Sequence, residues 1–178
     1  PKTCVANTVA EIQRFAAKFE RITIKPIDGY GGKGIFFYTQ GKEPDALLNK
    51  ATHDGAHWVI AQEYLPAAKQ GDKRILLVNG EPVPYALARF AGEGDFRGNL
   101  AKGGSSKGVP LSERDRWICS QVAPELKKRG ILFSGLDVIG DWLSEVNVTS
   151  PTGIRELEEE FGLNIAGLLF DSIEETLA

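Results

Sequence analysis

Three oxygen-bearing side chains stand close together in the sequence, at Asp137, Glu145 and Asn147. Glu145 and Asn147 are two positions apart in a strand-like segment, so their side chains leave the same face of a sheet. Gly140 and Asp141 separate two apolar runs and predict a hairpin. A loop of three residues would place Asp137 on that face, opposite Glu145, whereas a loop of two would not.

The chemistry of this set favours a hard cation. Mg²⁺ takes one or two protein carboxylates and completes its octahedron with waters and phosphates, and Mn²⁺ accepts similar ligands. The sequence therefore predicts a metal site for nucleotide phosphates. The alternative is an edge hairpin with a polar, solvated face, which this pattern alone does not exclude.

A glycine-rich segment, Gly29–Gly34, is the second candidate. It matches G-x-G-x-x-G, but residues 35–38 are β-branched or aromatic, so no helix follows and neither a Rossmann nor a Walker A loop is indicated. Between two antiparallel strands it resembles a phosphate-covering flap, in which bare backbone N–H groups approach phosphate. Lys25 lies beside it and could bind a phosphate. A plain flexible turn is the alternative.

Residues 62–74 contain weaker nucleotide-binding signals. Gln62–Leu65 ends a predicted strand before Pro66, where exposed backbone groups can pair with an adenine edge while Leu and Tyr pack on its face. Asp72 and Arg74 follow and could serve ribose and phosphate, although a charged turn would look the same.

Composition narrows the classes of function. The 178 residues fit one domain or two small lobes, and a net charge of −3 gives no broad basic field, so nucleic acid is a poor candidate partner. No apolar run approaches membrane-spanning length and no signal peptide is recognisable, which predicts a cytoplasmic protein. The two cysteines, Cys4 and Cys119, are expected to be free thiols.

Hydrophobic periodicity predicts a mixture of helices and hairpin-connected strands, hence an α+β fold with mainly antiparallel sheets. Residues 91–108, rich in Gly, Lys and Ser, predict a mobile loop that could act as a lid. Helices are predicted at 8–20, 44–52, 112–129, 153–161 and 164–177. Strands are predicted at 21–25, 35–38, 58–65, 73–78, 81–89 and on both sides of Gly140–Asp141.

Four segments together resemble the ATP-grasp domain of bacterial glutathione synthetases, over nearly the whole chain: Ile24–Gly34, Gly71–Arg89, Arg97–Leu100 and Gly135–Thr152. The most distinctive parts are Gly-Asp-Lys-Arg at 71–74 and Glu-Val-Asn-Val-Thr-Ser-Pro-Thr at 145–152. This resemblance implies two α+β subdomains that clamp ATP. Residues from about 20 to 66 would form a smaller nucleotide-covering lobe, and residues from about 67 to 178 a larger lobe for metal and substrate.

The resemblance also implies an enzyme, an ATP-dependent ligase that joins glycine to γ-glutamylcysteine through an acyl phosphate and releases ADP and phosphate. Its implied phosphate contacts are Lys25, Gly29, Tyr30, Gly31, Gly32, Lys33 and Gly34. Its implied adenine contacts are Gln62, Glu63, Tyr64 and Leu65, with Asp72 and Arg74 toward ribose and triphosphate. Its implied catalytic and substrate contacts are Arg89, Arg97 and Asn99, with Thr149, Ser150 and Thr152 on the peptide substrate. Its implied Mg²⁺ ligands are Asp137, Glu145 and Asn147.

Family members carry a further domain before this one, and it is absent from the sequence. We therefore expect the chain alone to bind nucleotide weakly and to turn over poorly, unless the rest of the protein is supplied as a separate chain or was removed by proteolysis. The resemblance also suggests a homotetramer. Two rival functions stay open: another ATP-grasp carboxylate–amine ligase, and a nucleotide-binding module without turnover.

Overall fold

The computed structural model describes residues 1–29, 32–90 and 105–178. The chain divides into two compact units, Pro1–Pro66 and Ala67–Ala178. Within the described residues, none of the helices combines the length and apolar character needed to cross a membrane. Neither cysteine there is in a disulfide, as the sequence predicts.

The first unit is a four-stranded antiparallel sheet with two helices. Its strand order is β1-β4-β2-β3. Its core includes Ile12, Ile22, Ile24, Tyr38 and Leu48, none of which is exposed to solvent. The elements are β1 (Thr3–Ala6), α1 (Val9–Ala16), β2 (Ile22–Pro26), β3 (Phe36–Tyr38), α2 (Ala46–Thr52) and β4 (Val59–Glu63).

Helix α1 begins where its capping residue predicts but ends earlier. The Thr8 side chain accepts from the backbone N–H of Glu11, which satisfies a donor of the first turn. At the other end, the N–H groups of Lys18 and Phe19 bond to carbonyls three residues back, so the helix tightens into a turn instead of reaching residue 20.

The second unit is a five-stranded antiparallel sheet in the order β7-β6-β5-β8-β9. Both faces are covered: α3 packs on the face of Ile75 and Leu77, while α4 and α5 pack on the face of Leu76 and Val78. The strands are β5 (Asp72–Val78), β6 (Glu81–Phe90), β7 (Ser105–Pro110), β8 (Phe133–Ile139) and β9 (Trp142–Asn147). The helices are α3 (Glu113–Lys128), α4 (Ile154–Phe161) and α5 (Ile165–Leu177), and a 3₁₀ turn spans Pro66–Gln70.

The α+β prediction with mainly antiparallel sheets is confirmed. Between β5 and β6, Asn79 and Gly80 both have positive φ, as a type I′ hairpin requires. One strand was not predicted, and one local prediction is wrong. Thr3–Ala6 forms a strand that the sequence did not indicate, because its pairing with β4 supplies the stabilisation. Residues 105–108, predicted as loop, belong to β7, since the ladder with β6 overrides their weak strand propensity.

Candidate functional site

The hairpin of β8 and β9 places Asp137 directly opposite Glu145, so both side chains leave one face of the sheet. Its turn nevertheless has only two residues, since Ile139 pairs with Trp142. The ladder slips by one residue at Ser144, so that Val138 pairs with Leu143 but Asp137 pairs with Glu145. The expected juxtaposition is therefore present, although a bulge produces it and not a three-residue loop.

The Asp137 carboxylate is buried against two guanidinium groups. Arg74 donates to it from two nitrogens, Nε to Oδ1 and Nη2 to Oδ2, the latter at 2.8 Å. Nη2 of Arg89 lies 2.9 Å from Oδ2 of the same carboxylate. All these side chains are at most about a tenth exposed. Asp137 is thus held in a fixed orientation by charge-assisted hydrogen bonds.

Asp72 completes this cluster from the neighbouring strand. Nε of Arg89 donates to its Oδ1 at 3.0 Å, and Nη2 of Arg89 contacts its Oδ2. Burial acts to lower the pKa of Arg89, but the hydrogen bond to Asp72 and the charge of Asp137 outweigh it and hold this pKa above its usual range. Two carboxylates and two guanidinium groups therefore form a charge-balanced network.

The donor set fits a hard cation. A carboxylate offers about four lone-pair positions, and the two guanidinium groups use three of them on Asp137, which leaves one on Oδ1. Glu145 is exposed. The amide nitrogen of Asn147 lies 3.4 Å from the Gly135 carbonyl, so its carbonyl oxygen remains as a donor atom. In the described ranges no three His, Cys, Asp or Glu side chains cluster, so waters and phosphates would complete the coordination.

The predicted peptide-binding segment follows β9 and is tied to the same network. Nη1 of Arg74 donates to the Thr152 carbonyl at 3.4 Å, and a Cβ on Gly135 would lie 2.7 Å from Pro151 and 2.9 Å from Arg74. The side chains of Thr149, Ser150 and Thr152 are exposed. Arg74 thereby links the hairpin to this segment through its stem and its guanidinium.

In the first unit, Lys25 and Gln62 are brought together. Lys25 Nζ donates to Gln62 Oε1 at 2.7 Å, and Gln62 Nε2 donates to Thr3 Oγ1 at 2.9 Å. Ile22 and Ile24 are buried on the opposite face of β2, as the alternation predicts. The ammonium group is therefore oriented by a side chain that the sequence assigned to adenine.

The structure describes only part of the predicted glycine loop. Gly29 packs closely against Pro26 at the end of β2, because a Cβ on Gly29 would lie 2.5 Å from Pro26 Cγ. Gly32 and Gly34 have positive φ, and Lys33 is exposed. Four predicted site residues lie outside the described residues: Tyr30, Gly31, Arg97 and Asn99.

The strand end predicted to frame adenine is fixed by neighbours in the first unit. Glu63 Oε2 accepts from the Lys2 backbone N–H at 3.2 Å. The Tyr64 ring meets Phe37 edge-on at 5.1 Å, with the Arg21 guanidinium 5.6 Å from its centroid. Leu65 follows β4 and is half-buried.

Two relevant features were missed by the sequence reasoning. Ser144 forms the bulge, and its hydroxyl donates to the Asp137 carbonyl at 3.0 Å. Lys73 Nζ binds both oxygens of Asp115 at 2.6 Å, and Asp115 completes the capping box of α3 with Ser112. The Ser-x-x-Asp spacing at 112–115 was a usable signal for the second feature.

Comparison with known proteins gives one consistent family. Residues 1–162 match the family described as prokaryotic glutathione synthetase, ATP-grasp domain. A glutathione synthetase of Xanthomonas campestris is 54% identical over 176 residues, which are 98% of this chain and 55% of the relative. That of Pseudomonas aeruginosa is 50% identical over 180 residues, covering 100% and 56%. The chain thus spans about half the length of the curated relatives it matches.

Solved structures agree on the fold. D-cycloserine synthetase DcsG superposes with a TM-score of 0.72 at 18% identity, covering 99% of this chain and 64% of that one. The ATP-grasp ligase PsnB, in a complex with minimal precursor, Mg and ADP, gives 0.68 at 18% identity, covering 100% and 54%. The predicted ATP-grasp fold is confirmed.

Proposed function

Because the chain belongs to the ATP-grasp family of prokaryotic glutathione synthetases, we propose that it carries the Mg·ATP and acyl-transfer site of a ligase. The ligase joins glycine to γ-glutamylcysteine and gives glutathione, ADP and phosphate. The observation that carries the proposal is the direct pairing of Asp137 with Glu145 beside two buried guanidinium groups. Such a site suits the transfer of a phosphoryl group to a carboxylate.

The metal ligands in this proposal are Asp137, Glu145 and Asn147. Bound Mg²⁺ supplies charge neutralisation at the β- and γ-phosphates. Arg74 and Arg89 hold the Asp137 carboxylate in place. Because their geometry is fixed in advance, little reorganisation is needed when negative charge develops on the transferred phosphoryl group.

Nucleotide binding is assigned to the residues that the family resemblance implies. Lys25 and the backbone of the glycine loop, including Tyr30, Gly31 and Lys33, bind the phosphates. Gln62, Glu63, Tyr64 and Leu65 contact adenine, and Arg74 serves the triphosphate. Asp72 retains free lone pairs beside its contacts with Arg89, which supports a role at the ribose.

Acyl transfer needs no side-chain nucleophile. ATP converts the carboxylate of γ-glutamylcysteine into an acyl phosphate, the glycine amine attacks it, and phosphate leaves from a tetrahedral intermediate. Arg89, Arg97 and Asn99 stabilise the charged acyl phosphate, while Thr149, Ser150 and Thr152 bind the peptide. Positioning and electrostatics supply the rate enhancement.

Two further parts of the proposal come from the family resemblance: assembly as a homotetramer, and completion of the peptide site by another domain. A cytoplasmic setting, where ATP is abundant, is a third part and follows from the sequence pattern. Measuring the molar mass of the protein in solution tests whether it forms a tetramer. Nucleotide titration with and without the additional domain tests its contribution.

The deciding experiment is a coupled assay of ADP release by the full-length protein, with γ-glutamylcysteine and glycine each omitted in turn. We expect one ADP per glutathione and strong dependence on both substrates. ADP release that prefers other carboxylate and amine pairs would identify another ATP-grasp ligase. Nucleotide binding without Mg²⁺-dependent phosphate release would identify a module without turnover.

A further inference from the structure

We propose that Ser144 is a positioning residue in the β8–β9 hairpin. It determines which face of the sheet carries Glu145 and so keeps this side chain opposite Asp137. This inference rests on the proposed function, because it takes Asp137 and Glu145 to be metal ligands. It concerns a residue outside that ligand set. Ser144 acts through the backbone bulge that it forms and through the hydrogen bond of its hydroxyl.

The turn and the ligand pair of this hairpin require different registers. Near the two-residue turn, Ile139 pairs with Trp142 and Val138 with Leu143. Continued without a slip, this register would pair Asp137 with residue 144 and Leu136 with Glu145. Leu136 is fully buried in the core beneath α3. The Glu145 carboxylate would then point toward an apolar core, which is strongly unfavourable.

The bulge resolves this conflict with one extra residue. Ser144 is left without a cross-strand partner, so Glu145 moves opposite Asp137 and Asn147 moves opposite Gly135. Val138 stays buried in the core and Leu143 packs against it. The hairpin therefore keeps a tight turn and its core contacts while both carboxylates leave one face.

The Ser144 side chain forms a hydrogen bond across the bulge to Asp137. Its hydroxyl donates to the Asp137 carbonyl at 3.0 Å, across the point where the ladder slips. Bulges leave backbone groups without ladder partners, and a short hydroxyl side chain can satisfy one locally. The hydroxyl of residue 144 therefore stabilises the arrangement of the two metal ligands without itself binding the metal.

The first test compares Ser144→Thr with Ser144→Val, which differ only in a hydroxyl against a methyl group. Mn²⁺ binding in the presence of ATP is measured by electron paramagnetic resonance of free Mn²⁺. We expect the Thr variant to bind within about twofold of the parent and the Val variant about three- to tenfold more weakly, the effect of one lost hydrogen bond. Equal affinities of the two variants would overturn the role of the hydroxyl.

The second test changes the number of residues in the hairpin. An Ala inserted between Ser144 and Glu145 moves the Glu145 side chain to the other face of the sheet. The same Ala inserted between Gly140 and Asp141 lengthens only the turn. We expect at least about a tenfold loss of Mn²⁺ affinity for the strand insertion and little change for the turn insertion.

Cross-strand NMR contacts between Asp137 and Glu145, recorded without metal, report the register independently of binding. They should persist in the turn insertion and disappear in the strand insertion. A strand insertion that loses these contacts but binds Mn²⁺ like the parent overturns the inference while the proposed function stands. If the parent protein shows these contacts but binds no Mn²⁺ in the presence of ATP, Asp137 and Glu145 are not metal ligands, and the inference fails together with the proposed function.

Discussion

Arg89 holds Asp72 by two contacts, with Nε donating to Oδ1 at 3.0 Å and Nη2 reaching Oδ2. The same Nη2 lies 2.9 Å from Oδ2 of Asp137, so one guanidinium joins two carboxylates. The Arg89 and Asp72 side chains are only 11% and 19% exposed. Removing one side chain of this cluster therefore leaves its charged partner unpaired and with little access to water.

We predict that Asp72→Ala lowers the free energy of unfolding by about 3 kcal/mol, the lower end for breaking a buried ion pair, because Asp137 still compensates Arg89. Urea denaturation followed by circular dichroism measures this. The double variant Asp72→Leu/Arg89→Met should be less destabilised than Asp72→Ala, since no unpaired guanidinium remains at that position.

The matched control is Lys127→Ala, which removes a surface ion pair with Glu81, whose side chains are 46% and 78% exposed. It should cost less than about 1 kcal/mol. Equal effects of Asp72→Ala and Lys127→Ala would show that the buried cluster contributes no more to stability than a solvated pair.

The hairpin shows how far the sequence could specify the site. Gly140–Asp141 indicated a tight turn, and only Gly140 of the two has positive φ, as a type II′ turn requires. A two-residue turn contradicts the convergence of Asp137 with Glu145 unless one strand has an extra residue. The sequence therefore implied a bulge, but nothing in Leu143-Ser144 specified its position, because bulge placement depends on packing against the core.

Other features depended on contacts between residues distant in the sequence. The strands on either side of the Asn79–Gly80 turn, β5 and β6, were predictable because their local apolar and turn pattern agrees with their tertiary pairing. Arg74 was assigned to the triphosphate, yet its partners in the structure are Asp137 and the Thr152 carbonyl, 63 and 78 positions away. Such pairings follow from strand order, which composition and periodicity do not determine.

Glu145→Gln tests the proposed metal role directly. We predict a loss of turnover of at least about two orders of magnitude in the ADP-release assay, the scale of losing one preorganised electrostatic contact. Folding should be preserved, because Glu145 is exposed and the amide is isosteric. Higher Mg²⁺ concentration should restore part of the rate. Unchanged turnover at low Mg²⁺ would reject Glu145 as a ligand.

Gly108 is predicted to be intolerant of any side chain. A Cβ there would lie 2.0 Å from Cε2 of Phe161, whose ring stacks on Tyr85 at 3.7 Å between centroids. Gly108→Ala should cost about 1 to 3 kcal/mol by overpacking, measured by urea denaturation. In a Phe161→Ala background the added cost should shrink. Ser106→Ala, exposed on the same strand, is the control and should stay within about 0.5 kcal/mol of the parent.

The two thiols are predicted to differ sharply in reactivity. Burial, reinforced by the charge of Asp115, raises the pKa of Cys119 to about 11, and its side chain is inaccessible. At pH 8 this lowers its thiolate fraction about a hundredfold relative to a thiol with an ordinary pKa. Ellman's reagent should therefore label Cys4 quickly and Cys119 only on unfolding. Cys4→Ser should abolish the fast phase, and a fast phase that persists would contradict the burial of Cys119.

Tyr38 is predicted to make stability fall at high pH. Burial, together with the hydrogen bond that its hydroxyl donates to Asp45 Oδ1 at 2.6 Å, raises the pKa of Tyr38 to about 12. The unfolded chain has an ordinary tyrosine pKa near 10 and so binds fewer protons than the folded chain between about pH 10 and 12. The stabilisation from this proton is therefore complete below about pH 10 and is lost as the pH rises through 12.

Absorbance at 295 nm should show this titration as a tyrosinate step near pH 12. Tyr38→Phe should remove that step and flatten the dependence of unfolding free energy on pH between about 10 and 12. Tyr85→Phe, whose ring stacks on Phe161 in the other unit, is the matched control and should leave that step in place. If Tyr38→Phe and the parent lose stability equally over this range, the folded chain does not hold the Tyr38 proton more tightly than the unfolded chain.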